Sequence, residues 1–273
     1  MRRLVILVPL VVLGTVAGLA PALGAPPPDG ERYALIVGID RFQGATRPNT
    51  GGVGDAEDLK SALLAAGWPS ANIRTLTDGG ATASAIRDGL RWLADTSKEN
   101  SFSVFAYSGH VKQTGSTEYL WPHDNQFIAD TEMAGILRSV KGYLWTHIAG
   151  CEAAGFDENL SGSKRLVTAA SQSYEKGYEL PPEIRNSVFT YLLVEVGITR
   201  RQADANRDRR VSIQEAFRLA AERAPGLTAG QAQGAQHPFM AGGDGSDWFL
   251  DRPPPTRAAA PAAAPRCFLF WCT

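Results

Sequence analysis

Phe102-Ser-Val-Phe-Ala-Tyr-Ser-Gly-His110 is an apolar run that closes on a histidine, and Gly142-Tyr-Leu-Trp-Thr-His-Ile-Ala-Gly-Cys151 is a second that closes on a cysteine. Runs this short and this apolar, each stopped by a glycine, read as strands buried on both faces. They deliver an imidazole and a thiol to the same relative place. If the two strands are parallel neighbours, both side chains emerge on one rim of the sheet. That is the geometry a Cys/His nucleophile pair needs.

Working outward, the chain alternates strand and helix patterns. Tyr33-Ala-Leu-Ile-Val-Gly-Ile39 is another doubly buried strand. A Gly/Thr/Pro/Asn-rich loop runs from Gln43 to Gly54. Ala56, Leu59, Leu63 and Ala66 sit at helical spacing between Asp55 and Ala66, and Gly67 stops that helix. A short strand is expected over Ile73 to Leu76, and a helix over Thr82 to Ala94. Leu166 to Ala170 reads as a strand and Ser187 to Gly197 as a helix. This rhythm predicts an α/β fold, with a mainly parallel sheet flanked by helices on both faces. In such sheets working groups lie beyond the carboxyl ends of the strands, where His110 and Cys151 both fall.

A thiol attacks a carbonyl as thiolate, so it needs a base or a positive neighbour. An imidazole can take that proton and return it to the leaving amine. Backbone N–H groups in tight turns then hold the oxyanion. The candidate donors are those of Cys151 and of the turn from Gly109 to Val111.

These residues resemble a known family. Tyr33 to Ile39, Gly54-Asp-Ala-Glu-Asp-Leu59, Phe105-Ala-Tyr-Ser-Gly-His110 and Gly150-Cys-Glu-Ala-Ala-Gly-Phe156 look like the caspase-like cysteine peptidases. That clan includes caspases, metacaspases and legumains, and the chain looks like a bacterial, exported member. The resemblance spans roughly residues 32 to 250. It implies a caspase-like α/β/α sandwich and endopeptidase activity, with His110 as base and acid and Cys151 as nucleophile. No cofactor is required. Leu166 to Gln172 and Tyr174 to Glu179 resemble the strand and loop that line the substrate cleft there. Ser171 and Gln172, with Asp40 and Arg41 after the first strand, are the cleft candidates. Asp124, Glu152, Asp157 and Arg47 are further charges near the rim.

Two positions depart from the family. Val111 stands where it usually has glycine after the histidine, and valine tolerates positive φ poorly. Ala149 stands where metacaspases usually have an acidic residue, which leaves the P1 preference open. Val111 is the feature that favours the alternative reading, a catalytically inactive caspase-like module that binds peptides or partners.

The rest of the chain bounds the setting. Met1-Arg-Arg3, the apolar stretch Leu4 to Ala20 and the small residues before Ala25 read as a signal peptide over residues 1–24, with an N-terminal anchor as the alternative. The peptidase domain is assigned to residues 32–251. Residues 252–273 form a Pro/Ala-rich tail that ends in Cys267 and Cys272. No later segment is apolar enough to span a bilayer. Twenty-seven basic against twenty-eight acidic side chains leave no charge block for a nucleic acid. The expected partner is a peptide or protein substrate.

One more motif stands apart. Asp204, Asn206, Asp208, Ser212 and Glu215 occupy positions one, three, five, nine and twelve of a calcium-loop pattern, with Arg209 where such loops place glycine. Ser212 and Glu215 equally have the spacing of a helix capping box.

Overall fold

The computed structural model describes residues 30–251. The segment expected to be a leader and the cysteine-ended tail lie outside the described residues. Five parallel strands and one antiparallel edge strand make the main sheet. In chain order its strands are β1 (Arg32–Gly38), β2 (Ile73–Thr77), β3 (Phe102–Ser108), β7 (Tyr143–Ala149), β8 (Arg165–Ala169) and β9 (Phe239–Gly242). They lie side by side as β2-β1-β3-β7-β8-β9. Between β3 and β7 a small antiparallel sheet is inserted: β4 (Val111–Thr114), β5 (Thr117–Leu120) and β6 (Ile128–Ala129).

The helices are α1 (Gly52–Ala65), α2 (Ala83–Thr96), α3 (Asp130–Leu137), the single turn α4 (Asp157–Leu160), α5 (Val188–Thr190) and α6 (Ile213–Thr228). Alternation along the strands feeds two apolar cores. Ala34, Ile36, Phe102, Val104 and Trp145 face one core, which α1 and α6 cover. Leu35, Val37, Phe105, Leu144 and Ile148 face the other, under α2 and α3. The apolar runs were continuous because both faces are covered.

The helix expected over Ser187 to Gly197 starts as α5, with Ser187 Oγ accepting the Thr190 N–H at 3.2 Å. It continues as a π-type helix over Tyr191–Thr199. Small residues let α1 start against the end of β1. A Cβ on Gly38 would lie 2.2 Å from the Gly52 oxygen, and one on Gly52 would meet the Ile39 backbone at 2.7 Å.

Candidate active site

The register of the two central strands places His110 and Cys151. β3 and β7 are parallel neighbours, and their last paired residues are Ser108 and Ala149. His110 and Cys151 each lie two residues beyond that pair. Both line one cleft of about 430 Å³ at the carboxyl ends of the strands. Its other walls are the loop after β1 (Arg47, Asn49), the segment after β8 (Lys176 to Glu179) and the loop after α6 (Gln231 to Gln236).

The His110 ring is held on several sides. Its Nε2 lies 2.7 Å from the Arg47 carbonyl oxygen. A carbonyl only accepts, so Nε2 carries the proton and Nδ1 is the basic nitrogen. Phe42 stacks on the ring with centroids 4.7 Å apart, and Trp121 lies tilted at 5.7 Å.

Cys151 is half-buried, and its thiol donates to the Gly177 carbonyl at 3.8 Å. Burial pushes the thiol above its ordinary range, while the nearby Lys176 charge opposes that shift. Lys176 is itself paired with Glu152. The resting sulfur is therefore a thiol that must hand its proton to a base.

The backbone amides divide into spent and available. Gly109 N–H donates to the Ala149 carbonyl at 3.2 Å, which removes Gly109 from the oxyanion candidates. The Trp121 N–H donates to the His110 carbonyl at 3.1 Å. Alternation of the antiparallel ladder then turns the Val111 N–H away from β5. Cys151 N–H has no hydrogen-bond partner among the described residues. Val111 itself opens β4 and is absent from the residues with left-handed backbone, so the strain expected of a valine here does not arise.

Comparison with known proteins fits this geometry. The sequence model of the caspase domain, a peptidase family, matches residues 31–240. The chain belongs to the caspase-domain family. Over 124 residues it is 32% identical to Metacaspase-1 of Candida albicans, a stretch that covers 37% of this chain and 28% of that protein. A crystal structure of a Geobacter sulfurreducens protein superposes with a TM-score of 0.58 at 16% identity, over 78% of this chain and 94% of that one. That likeness concerns the fold.

Within this caspase domain, the four cleft candidates read from sequence lie beside the cleft that His110 and Cys151 line, each with contacts of its own. Asp40 Oδ1 accepts the N–H groups of Gly52 at 2.7 Å and Val53 at 3.3 Å, so it caps α1. Arg41 pairs with Asp78 at 2.8 Å. Ser171 is fully buried; its hydroxyl donates to the Gly150 carbonyl at 3.2 Å and accepts the Ala153 N–H at 3.3 Å, bracing the cysteine turn from below. Gln172 reaches the His237 carbonyl at 3.4 Å. Of the rim charges, Asp124 accepts the Ala83 N–H at the start of α2, and Arg47 alone lines the cleft.

Sequence reasoning missed Glu179 and Gln236. Glu179 accepts from Thr50 and Gly51, and Gln236 joins the Tyr178 N–H to the Ala170 carbonyl. Both sit in loops with no periodicity. For Glu179 the place in the quoted Tyr174 to Glu179 stretch was the available signal.

The calcium-loop candidates are committed to backbone as well. Asp204 Oδ2 accepts the Arg209 N–H, Asn206 Oδ1 that of Asp208, and Asp208 Oδ1 that of Arg210. Glu215 accepts the Ser212 N–H at 3.0 Å, completing the capping box of α6. Asp204 Oδ1 is left buried without a partner, and one oxygen does not make a cation site. Among the described residues no three His, Cys, Asp or Glu side chains are grouped to hold a metal. The capping box of Ser212 and Glu215 is formed.

Proposed function

We propose that this chain is a cysteine endopeptidase that works through His110 and Cys151. One observation carries the reading: both side chains stand two residues past a paired strand end and open into one cleft. Family membership supports a peptide or protein as substrate.

The steps follow from the site. Nδ1 of His110 takes the thiol proton, and Sγ attacks the scissile carbonyl carbon to form a C–S bond. The carbonyl π electrons move to oxygen, near the N–H groups of Cys151 and Val111. Collapse of this intermediate breaks the C–N bond, and His110 returns its proton to the departing amine. A thioester remains. Water then gives a proton to His110 and attacks the same carbon. The C–S bond breaks, His110 returns that proton to the sulfur, the acid product leaves, and the thiol is restored. Arg47, through its carbonyl, keeps Nε2 protonated throughout.

A fluorogenic peptide panel with P1 Arg, Lys, Asn and Asp, run beside Cys151→Ala, tests the reading. Turnover that vanishes in the variant supports it. No turnover on any peptide, with no labelling of Cys151 by a thiol-reactive peptide probe, overturns it. Export by the leader belongs to the same proposal; a product that stays in the cytoplasm with residues 1–24 intact would remove that part.

A further inference from the structure

The side chain of Tyr107 points away from the cleft, yet its hydroxyl sits at the centre of the turn that carries His110. The ring is fully buried. The hydroxyl lies 2.7 Å from the His110 carbonyl oxygen and 2.9 Å from that of Trp121, and it accepts the Trp121 N–H at 3.1 Å. One hydroxyl has a single proton and two lone pairs, so it donates to one carbonyl at a time, and it shares the Trp121 N–H with the His110 carbonyl. Three backbone groups, from two residues that are distant along the chain, thus converge on one oxygen.

Those two residues fix the imidazole. His110 carries the ring, and Trp121 and the stacked Phe42 both lie against it. The Trp121 indole N–H donates to Asn125 Oδ1 at 2.7 Å, and Asn125 Oδ1 also accepts the Thr46 hydroxyl at 3.0 Å. Thr46 precedes Arg47, whose carbonyl holds Nε2. The wall beside the ring and the acceptor at its far nitrogen are therefore linked. Close approach is built in, because a Cβ on Gly109 would stand 2.9 Å from the Tyr107 oxygen.

We propose that Tyr107 is a positioning residue for His110: its hydroxyl sets the angle at which the imidazole stands against Phe42 and Trp121. This rests on His110 being the base for Cys151. A base misplaced by a fraction of an ångström still binds substrate but transfers protons slowly.

Tyr107→Phe removes only the hydroxyl. The expected result is a kcat about tenfold lower with KM changed by less than about twofold. The rate of Cys151 alkylation by iodoacetamide falls by a similar factor. In a His110→Ala background the same substitution leaves alkylation unchanged, because no ring remains to be aimed. A residue that merely stabilised the fold would act alike in both backgrounds, and that result overturns the proposal, as does an unchanged kcat. If Tyr107→Phe does not fold, Trp121→Phe tests the other arm, with the same expected kcat loss and the same silence without His110. Should His110→Ala itself leave turnover and alkylation intact, the dyad fails first and the positioning role goes with it. If His110→Ala is inactive but Tyr107→Phe is not impaired, only the positioning role is lost.

Discussion

Gly177 turns its carbonyl oxygen toward the sulfur of Cys151, 3.8 Å away. A Cβ on Gly177 would sit 2.7 Å from the Gly150 oxygen and 3.0 Å from the Gly150 carbon. Both are backbone atoms on the turn that holds the nucleophile, so they cannot rotate aside. Gly177→Ala is expected to lift the Lys176 to Glu179 wall and to lower kcat/KM by about ten- to a hundredfold. Steady-state kinetics beside a melting curve checks this; full activity in a folded variant refutes the close-packing argument.

Glu179 clamps two walls of the cleft. Its Oε2 accepts the Thr50 N–H at 2.7 Å and the Thr50 hydroxyl at 2.8 Å, and its Oε1 accepts the Gly51 N–H at 2.9 Å. Hydrogen bonds to an ionised group contribute about 1.5–3 kcal/mol each at most. Glu179→Ala is expected to free the loop that carries Arg47, cost about 2 kcal/mol of stability and raise KM. Urea unfolding and peptide kinetics report both, and a variant with the parent's midpoint and KM removes the clamp.

Two buried groups give opposite pH slopes. Burial pushes the Asp55 carboxyl up to about 7, against hydrogen bonds from Ser108 and Ser187. Its folded pKa is raised, so its stabilising effect is complete below the unfolded value near 3.9 and is lost as pH climbs through about 7. Burial pushes His147 down to about 3, between the hydroxyls of Thr168 and Thr190. Its folded pKa is depressed, so its contribution is present above about 6.5 and fades as pH falls. The slopes oppose each other between about 4 and 6.5, Asp55 acts alone from there to about 7, and above that neither group contributes. Asp55→Asn should uncover a rise in stability from about pH 4 to 6.5 that the carboxyl offsets in the parent chain. Urea midpoints across that range test it; a pH profile unchanged between about 4 and 6.5 disproves the assignment to Asp55.

Helix α6 depends on its cap. Ser212 Oγ accepts the Glu215 N–H at 3.1 Å, and Glu215 returns the bond to the Ser212 N–H. Ser212→Ala is expected to cost about 1 kcal/mol. A chelator should not change the melting temperature of the parent chain, since the same carboxylate is occupied by the cap. A large drop on chelation would restore the calcium reading.

How much was readable follows from where each residue sits. The strands ending at His110 and Cys151 were plain because burial on two faces leaves an unbroken apolar run. The strand β4 was not, since Val111-Lys-Gln-Thr114 is four residues with one buried position. Strand β9 is equally short and lies at the edge. Asp40 looked like a rim charge because it follows β1, and nothing local says that its carboxylate will meet the start of α1. Ser171 likewise follows β8, but its hydroxyl turns inward to Gly150. The cleft walls at Arg47, Glu179 and Gln236 are joined only by tertiary contacts, which no spacing encodes.

His110 and Cys151 hang from the two innermost of six strands. The remaining walls of their cleft are loops outside the sheet. On warming, peripheral loops open before a midline pair separates. A sample held just short of its melting point should thus pass through a form that still reacts with a small electrophile but no longer cuts a chain.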